Sequence, residues 1–324
     1  MVISNPEIHQ LFVRCLSPGM PMNTTSFART RIAPTPSGFL HIGNIVSFAI
    51  TQALADRYGA RTLLRIDDMD RDRTQLEFIE DIFDTLRFLG IAWNEGPADA
   101  HAFQLTFSQV HRLGLYRDIL QRLRNSGLVF ACECSRSQIS NAQADGAYPG
   151  TCRHKNIPLD APGVSWRLKT DDADPLLVNT LHKGTASAPL PQSMHNFVVR
   201  KKDGFPSYQL TSVADDIHFG VDLIVRGADL WDSTLAQLYL ARAAGLTTFS
   251  DATFYHHPLL ADEHGAKLSK SAGATSIHYL RRQGRSAGEI LTMLTLALQL
   301  PATITSARDL GEHFLSKFVF STHS

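Results

Sequence analysis

The chain has 324 residues, 44% hydrophobic and 19% charged, a composition that supports a folded protein with sizeable cores and fits two domains or one domain carrying an insertion. Its 31 basic residues equal its 31 acidic ones, so net charge points to no polyanionic partner. No apolar run reaches the roughly 20 residues that span a bilayer, so no membrane partner is expected.

Residues 1–26 lack the basic start and apolar centre of a signal peptide; they are expected to be a loosely ordered extension, and the expected address is cytoplasmic. "TRIAPTPSG" then predicts a short strand breaking into a Pro/Gly loop, and "HIGNIVSFAITQALADRYG" a helix closed by Gly59. "ARTLLRID" follows as a buried strand. Strand, tight turn, helix, strand is the opening of a parallel nucleotide-binding sheet, whose ligands sit at the carboxyl ends of the strands.

Leu76, Ile79, Phe83 and Leu86 recur at helical spacing, as do Tyr116, Ile119, Leu120 and Leu123; both stripes are expected to face a core. Regular periodicity lapses between about 130 and 195, where prolines and polar stretches surround three cysteines. Cys132, Cys134 and Cys152 lie close in sequence, which favours a metal site over a disulfide framework; Cys15 stands apart. "NFVVRKKDGFPSYQL" reads as a hairpin around "KDG", "VDLIVRG" as a buried strand, and "STLAQLYLARAAG" as a helix with a Ser/Thr cap. "EHGAKLSKSAG" reads as a basic flexible loop and "AGEILTMLTLALQL" as a helix. One sheet domain interrupted by an inserted module accounts for this order.

Within "RIAPTPSGFLHIGN", Pro34 and Pro36 hold the loop extended, while Gly38 and Gly43 admit a ligand close to the backbone. His41 and Asn44 can offer donors to a phosphate beside a helix N-terminus. No Walker lysine is present, so this would be another way of cradling a triphosphate. Taken alone, the His-x-Gly stretch reads rather as a turn with a solvent-facing histidine.

"HIGN" at 41–44 and "KLSKS" at 267–271 resemble the two signature motifs of class I aminoacyl-tRNA synthetases. With "RIAPTPSGFLHIGN", "LLRIDDMDR" and "PSYQLTSVADDIHFGVDLIVRGADLWDST", the resemblance is to the glutamyl branch and runs from about Arg29 to Ser271. It implies an α/β fold: a Rossmann-type domain in two halves (27–118 and 196–271), an inserted zinc-containing tRNA-binding module (119–195) and a short helical C-terminal region (272–324). It implies a ligase that joins L-glutamate to ATP, carried with Mg, as glutamyl-adenylate before passing it to a tRNA. His41, Gly43, Asn44 and Lys270 would hold ATP; His41, Lys267 and Lys270 would be catalytic, the two lysines neutralising the charge that develops on the leaving pyrophosphate. Arg31 and Arg226 carry planar forks suited to carboxylates. By resemblance, Arg31, Ile32, Ala33, Pro34, Thr35, Tyr208 and Arg226 line the amino-acid pocket. Asp67 would receive the α-amino group, where the bacterial glutamyl pattern has glutamate and glutaminyl relatives show aspartate.

"CEC" at 132–134 and "YPGTC" at 148–152 resemble a zinc site of this branch, which implies one structural zinc per chain on Cys132, Cys134, Tyr148 and Cys152. Full-length members carry a large anticodon-reading region after the lysine loop; the stretch after Ser271 is too short for a further domain of about 100 residues. The chain therefore resembles the short paralogues of the branch, monomers expected to transfer glutamate to queuosine in the anticodon of tRNA(Asp). Other readings are a truncated synthetase that charges a tRNA 3′ end with a partner, a non-catalytic tRNA- or amino-acid-binding paralogue, and adenylate formation for a peptide or carrier acceptor.

Overall fold

The run that follows His41 is apolar on nearly every side and ends in a glycine, and it folds as a long buried helix. The fold is that of a computed structural model, which describes residues 25–142, 147–171, 174–259, 276–301 and 304–318. Strand β1 (Arg29–Ile32) leads through the Pro/Gly loop into α1 (Ile42–Tyr58), and β2 (Arg61–Leu64) returns parallel to β1. Gly59 adopts φ 71° at the C-terminus of α1, a left-handed conformation in which glycine meets no Cβ penalty.

Next come α2 (Leu76–Phe88), the single turn α3 (Ala100–Ala102) and α4 (Leu113–Asn125). The stripe Tyr116, Ile119, Leu120 and Leu123 is buried as expected. In the earlier stripe Leu76 is exposed, because it sits at the first residue of α2, before the helix meets the core that covers Ile79, Phe83 and Leu86.

Beyond α4 lie β3 (Val129–Cys132), α5 (Arg136–Ala142), β4 (Ser165–Leu168), β5 (Leu176–Thr180), β6 (Gly184–Ala188) and β7 (Val198–Arg200). Then follow α6 (Tyr208–His218), β8 (Leu223–Gly227), α7 (Trp231–Ala243), β9 (Thr253–His257), α8 (Ile277–Arg282), α9 (Ala287–Ala297) and α10 (Ala307–Phe318). The main sheet has the order β6-β5-β9-β8, with β5, β9 and β8 parallel. Strand β1 lies alongside through Asp222, whose backbone N donates to Arg29 O (3.1 Å) and whose carboxylate accepts from Ala28 N and Arg29 N. A separate antiparallel sheet has the order β3-β4-β7.

Strand pairing does not divide at residue 195. β5 and β6 precede that point yet join the parallel sheet, whereas β7 follows it and pairs with β4. The "KDG" hairpin is likewise short: Arg200 and Pro206 form one isolated antiparallel bridge, and from Tyr208 the chain is helical. α7 begins two residues before Ser233, without a side-chain cap, and Thr234 Oγ1 donates instead to Leu230 O (3.1 Å).

Two large hydrophobic clusters result, one around α1 and one around α4, α6 and α7. α10 closes the first by lying directly on α1: a Cβ at Gly311 would come 2.2 Å from Ala49 O. The C-terminal helices are therefore part of the core that supports α1. Among the described residues, no helix is long and apolar enough to cross a membrane.

Candidate functional site

Strands β1, β2, β8 and β9 all end at one place, as parallel sheets require of their ligand sites. A cavity of about 600 Å³ opens there. Of the residues singled out from sequence, Arg31, Ile32, Ala33, Pro34, Thr35, His41, Gly43, Asn44, Asp67, Tyr208 and Arg226 all line it. The structure thus gathers residues drawn from nearly two hundred positions of chain. Lys267 and Lys270 lie outside the described residues, as does Cys15. The chain on either side of that segment reaches the cavity: Leu259 lines it, and Ser276 forms an antiparallel bridge with His41.

At the phosphate-like end, His41 is the N-cap of α1. Its Nδ1 accepts from Gly43 N (3.2 Å), and Asn44 Oδ1 accepts from His41 N (3.0 Å), a reciprocal capping box. An Nδ1 that accepts leaves the neutral imidazole with its proton on Nε2, a donor on the cavity wall beside the positive end of α1. Asn44 acts as an acceptor that fixes this cap, a different use from the phosphate donor expected of its side chain. A Cβ at Gly43 would sit 3.1 Å from His41 Cε1, so the glycine sets the ring position. The wall made by Phe39 and Leu40 is backed by α8, where Ile277 N donates to Leu40 O (2.8 Å) and His278 stacks on Phe39 at 3.9 Å.

The other end is built from buried charges. Arg31 Nε donates to Asp216 Oδ1 (3.0 Å) and its Nη1 to Val225 O (3.1 Å). Arg65 Nη1 donates to the same Asp216 oxygen (2.6 Å), while its Nε and Nη2 grip both oxygens of Asp67 (2.7 and 3.0 Å). Burial raises the Asp67 carboxyl despite this pairing, whereas for Asp216 the surrounding Arg31, Arg65 and Arg226 outweigh burial and hold it below the usual carboxylate range. Arg226 is 4% exposed, and burial, with repulsion from Arg31 and Arg65, pushes it down to about 10. Its Nη1 donates to Gln237 Oε1 (2.8 Å) and Thr234 Oγ1 (3.2 Å), and its Nε and Nη2 meet no hydrogen-bond partner. Buried donors of a cation left in that condition mark a place for an anionic ligand. Tyr208, the first residue of α6, is 43% exposed at the rim.

Arg65, Asp216, Thr234 and Gln237 escaped the sequence reading. Arg65 and Asp67 stand two residues apart, on one face of the extended chain, and that spacing was a usable signal. The pairing with Asp216 had none, because 151 residues separate it from Arg65.

A second cluster lies at the end of β3. The sulfurs of Cys132, Cys134 and Cys152 all lie within 4.8 Å of one another, close enough to share a metal ion. Tyr148 joins them: its hydroxyl is 3.4 Å from Cys132 Sγ and accepts from Cys152 N at 2.8 Å. Burial would raise the Cys132 thiol, but hydrogen bonds from Tyr148 and Arg167 bring it down to about 7. Three thiols and a phenol converging in a small buried pocket are a donor set that suits a soft divalent cation.

Residues 28–310 match the family of class I tRNA synthetases (E and Q), catalytic domain. A glutamyl-Q tRNA(Asp) synthetase from Synechococcus sp. is 34% identical over 317 residues, covering 94% of this chain and 96% of the relative. A glutamate–tRNA ligase from Anaeromyxobacter sp. is 36% identical over 263 residues, covering 79% of this chain but 54% of the relative. A crystal structure of a glutamate tRNA ligase from Elizabethkingia meningosepticum superposes with a TM-score of 0.68 at 19% identity, over 88% of this chain and 64% of that one. The parallel core, the cavity at its strand ends and these matches agree, and the chain belongs to the class I aminoacyl-tRNA synthetases of the E and Q type, which are ligases.

Proposed function

We propose that the protein activates L-glutamate with ATP to glutamyl-adenylate and transfers it to queuosine in the anticodon of tRNA(Asp). The observation that carries this is the pairing inside the cavity: Arg31 and Arg65 are held by the Asp216 and Asp67 carboxylates, whereas Arg226 hydrogen-bonds to no carboxylate and keeps two donors without partners. Arg226 is therefore the guanidinium without a carboxylate of its own, and the side chain of L-glutamate brings one to a buried place where water screens poorly. Its side-chain carboxylate pairs with Arg226, and its ammonium lies against Asp67 and Tyr208.

ATP lies across the start of α1, with a phosphate on His41 Nε2–H and the helix N-terminus. Gly43 admits the backbone approach. The α-carboxylate then attacks the α-phosphorus as the bond to pyrophosphate breaks, and Lys267 and Lys270 neutralise the leaving charge. In the second step a hydroxyl of the queuosine cyclopentenediol attacks the glutamyl carbonyl and AMP departs. The acceptor is supported by the extent of the match, 96% of a glutamyl-Q tRNA(Asp) synthetase against 54% of a glutamate–tRNA ligase.

Cys132, Cys134, Cys152 and Tyr148 hold one zinc ion, whose role is to cross-link the end of β3 to the turn at Cys152. Protein purified without added metal is expected to contain about one zinc per chain in elemental analysis; a folded, metal-free preparation overturns this assignment.

ATP–pyrophosphate exchange with glutamate and no tRNA tests the first step. Exchange is expected, is lost in Lys270→Ala and falls in Arg31→Ala; no exchange with any amino acid refutes activation. Labelled glutamate is then expected on queuosine-containing tRNA(Asp) even after periodate oxidation of the 3′ end. Label that vanishes after such oxidation assigns the acceptor to the 3′ terminus instead.

A further inference from the structure

Arg226 is held in an unusual way for a buried cation. Its two anchors, Gln237 Oε1 and Thr234 Oγ1, are both neutral acceptors on α7. The Thr234 hydroxyl gives its own proton to Leu230 O, so its lone pairs face Arg226 Nη1 and His256 Nε2, the latter 2.8 Å away. Burial and the Arg226 charge push His256 down and so favour its neutral ring, which adds no second charge beside Arg226. The carboxylate that faces the group, Asp216, makes its hydrogen bonds to Arg31 and Arg65 and none to Arg226. Every direct contact of Arg226 therefore fixes its position without cancelling its charge.

We propose that Gln237 and Thr234 set the preference for a carboxylate over an amide side chain in the amino-acid substrate, by anchoring Arg226 through neutral acceptors alone. This rests on the activation reading above. An acidic residue at either anchor would hold the guanidinium equally well, yet would give Arg226 a carboxylate partner before substrate arrives. Glutamate would then enter with an unmatched charge, and glutamine, its neutral isostere, would lose its disadvantage. Gln237 and Thr234 act through Arg226 and are positioning residues.

The test is ATP–pyrophosphate exchange with glutamate and with glutamine, reporting kcat/KM for each, on wild type, Gln237→Glu and Gln237→Leu. In Gln237→Glu the glutamate-to-glutamine ratio falls by about a hundredfold, the loss appearing chiefly in the KM for glutamate. Gln237→Leu, which removes the bond but adds no charge, slows both amino acids and moves the ratio by no more than about threefold. A merely structural role would depress both substrates alike in the two variants, and an unchanged ratio in Gln237→Glu overturns the inference. If Gln237→Glu does not fold, Thr234→Asp places the charge at the second anchor and is read in the same way. Wild-type exchange with glutamate alongside an unmoved ratio sinks only this inference; absent wild-type exchange sinks the activation reading beneath it.

Discussion

Asp215 and Arg226 are both buried charges near the centre of the molecule, and the structure treats them in opposite ways. Asp215 accepts from Arg112 Nε (2.8 Å) and Tyr116 OH (2.7 Å) on one oxygen, and from Arg112 Nη2 and Gln109 Nε2 (both 2.9 Å) on the other. Its charge is cancelled and its lone pairs are filled. Burial would raise this carboxyl, but Arg112, Arg65 and Gln109 together hold it below the usual range. Arg226 hydrogen-bonds only to neutral acceptors and has two donors without partners. Burial of a charge therefore says little about function here; an incomplete set of partners does.

The largest expected effect comes from removing the incomplete partner. Arg226→Leu lowers kcat/KM for glutamate in the exchange reaction by at least about a thousandfold, since a site built to pair a carboxylate loses its cation. The same change leaves Tm within about 5 °C of wild type, because loss of two hydrogen bonds is offset by loss of an uncompensated buried charge. A fall in stability as large as the fall in activity would mean that Arg226 belongs with the structural charges.

The closed network answers the other way. Arg112 is only 9% exposed in its side chain, and Arg112→Leu leaves Asp215 buried without its ion pair, which costs about 3–5 kcal/mol in denaturant unfolding. The acid limb shifts as well. A depressed carboxyl contributes stability that is complete above its unfolded value and is lost as pH falls through the folded one. Without Arg112 that loss begins at a higher pH. Tyr116→Phe removes one of four hydrogen bonds and is expected to cost about 2 kcal/mol. A neutral result for both variants would erase the distinction between the two charges.

The sequence carried this contrast unevenly. β1, α1 and β2 were readable because apolar periodicity, two prolines and Gly59 act over a few residues. The cavity lining was readable through motifs that resemble a known family. The meaning of "VADD" was not: Asp215 and Asp216 are neighbours, yet one closes a structural network and the other bridges Arg31 and Arg65 across 185 and 151 positions. Partner identity at such separations is set by tertiary packing. Gln237 escaped for a related reason, since a glutamine inside an otherwise buried helix looks like any polar residue until Arg226 is seen beside it. Strand pairing runs across the expected boundary near 195, since β5 and β6 belong by pairing to the parallel sheet, whatever the texture of the sequence around them.

The smallest expected effect probes the neutrality around Arg226 directly. His256 Nε2 hydrogen-bonds with Thr234 Oγ1, and burial first, then the charge of Arg226, push the ring down to about 3. In the unfolded chain its value returns to about 6.5, so between these limits the unfolded state binds a proton that the folded state refuses. Stability from the neutral ring is complete above about 6.5 and declines as pH falls towards 3, with a slope approaching 1.4 kcal/mol per pH unit. His257 is also pushed down by burial and adds a decline of the same sign, which is why the comparison must be made with a variant. His256→Gln keeps a donor for Thr234 and removes the titration. Its unfolding free energy between pH 6.5 and 5 should therefore fall less steeply than that of wild type, by about 1 kcal/mol per pH unit. Parallel profiles would mean that the folded ring takes up its proton over the same range as the unfolded one, placing a second cation beside Arg226 as pH falls.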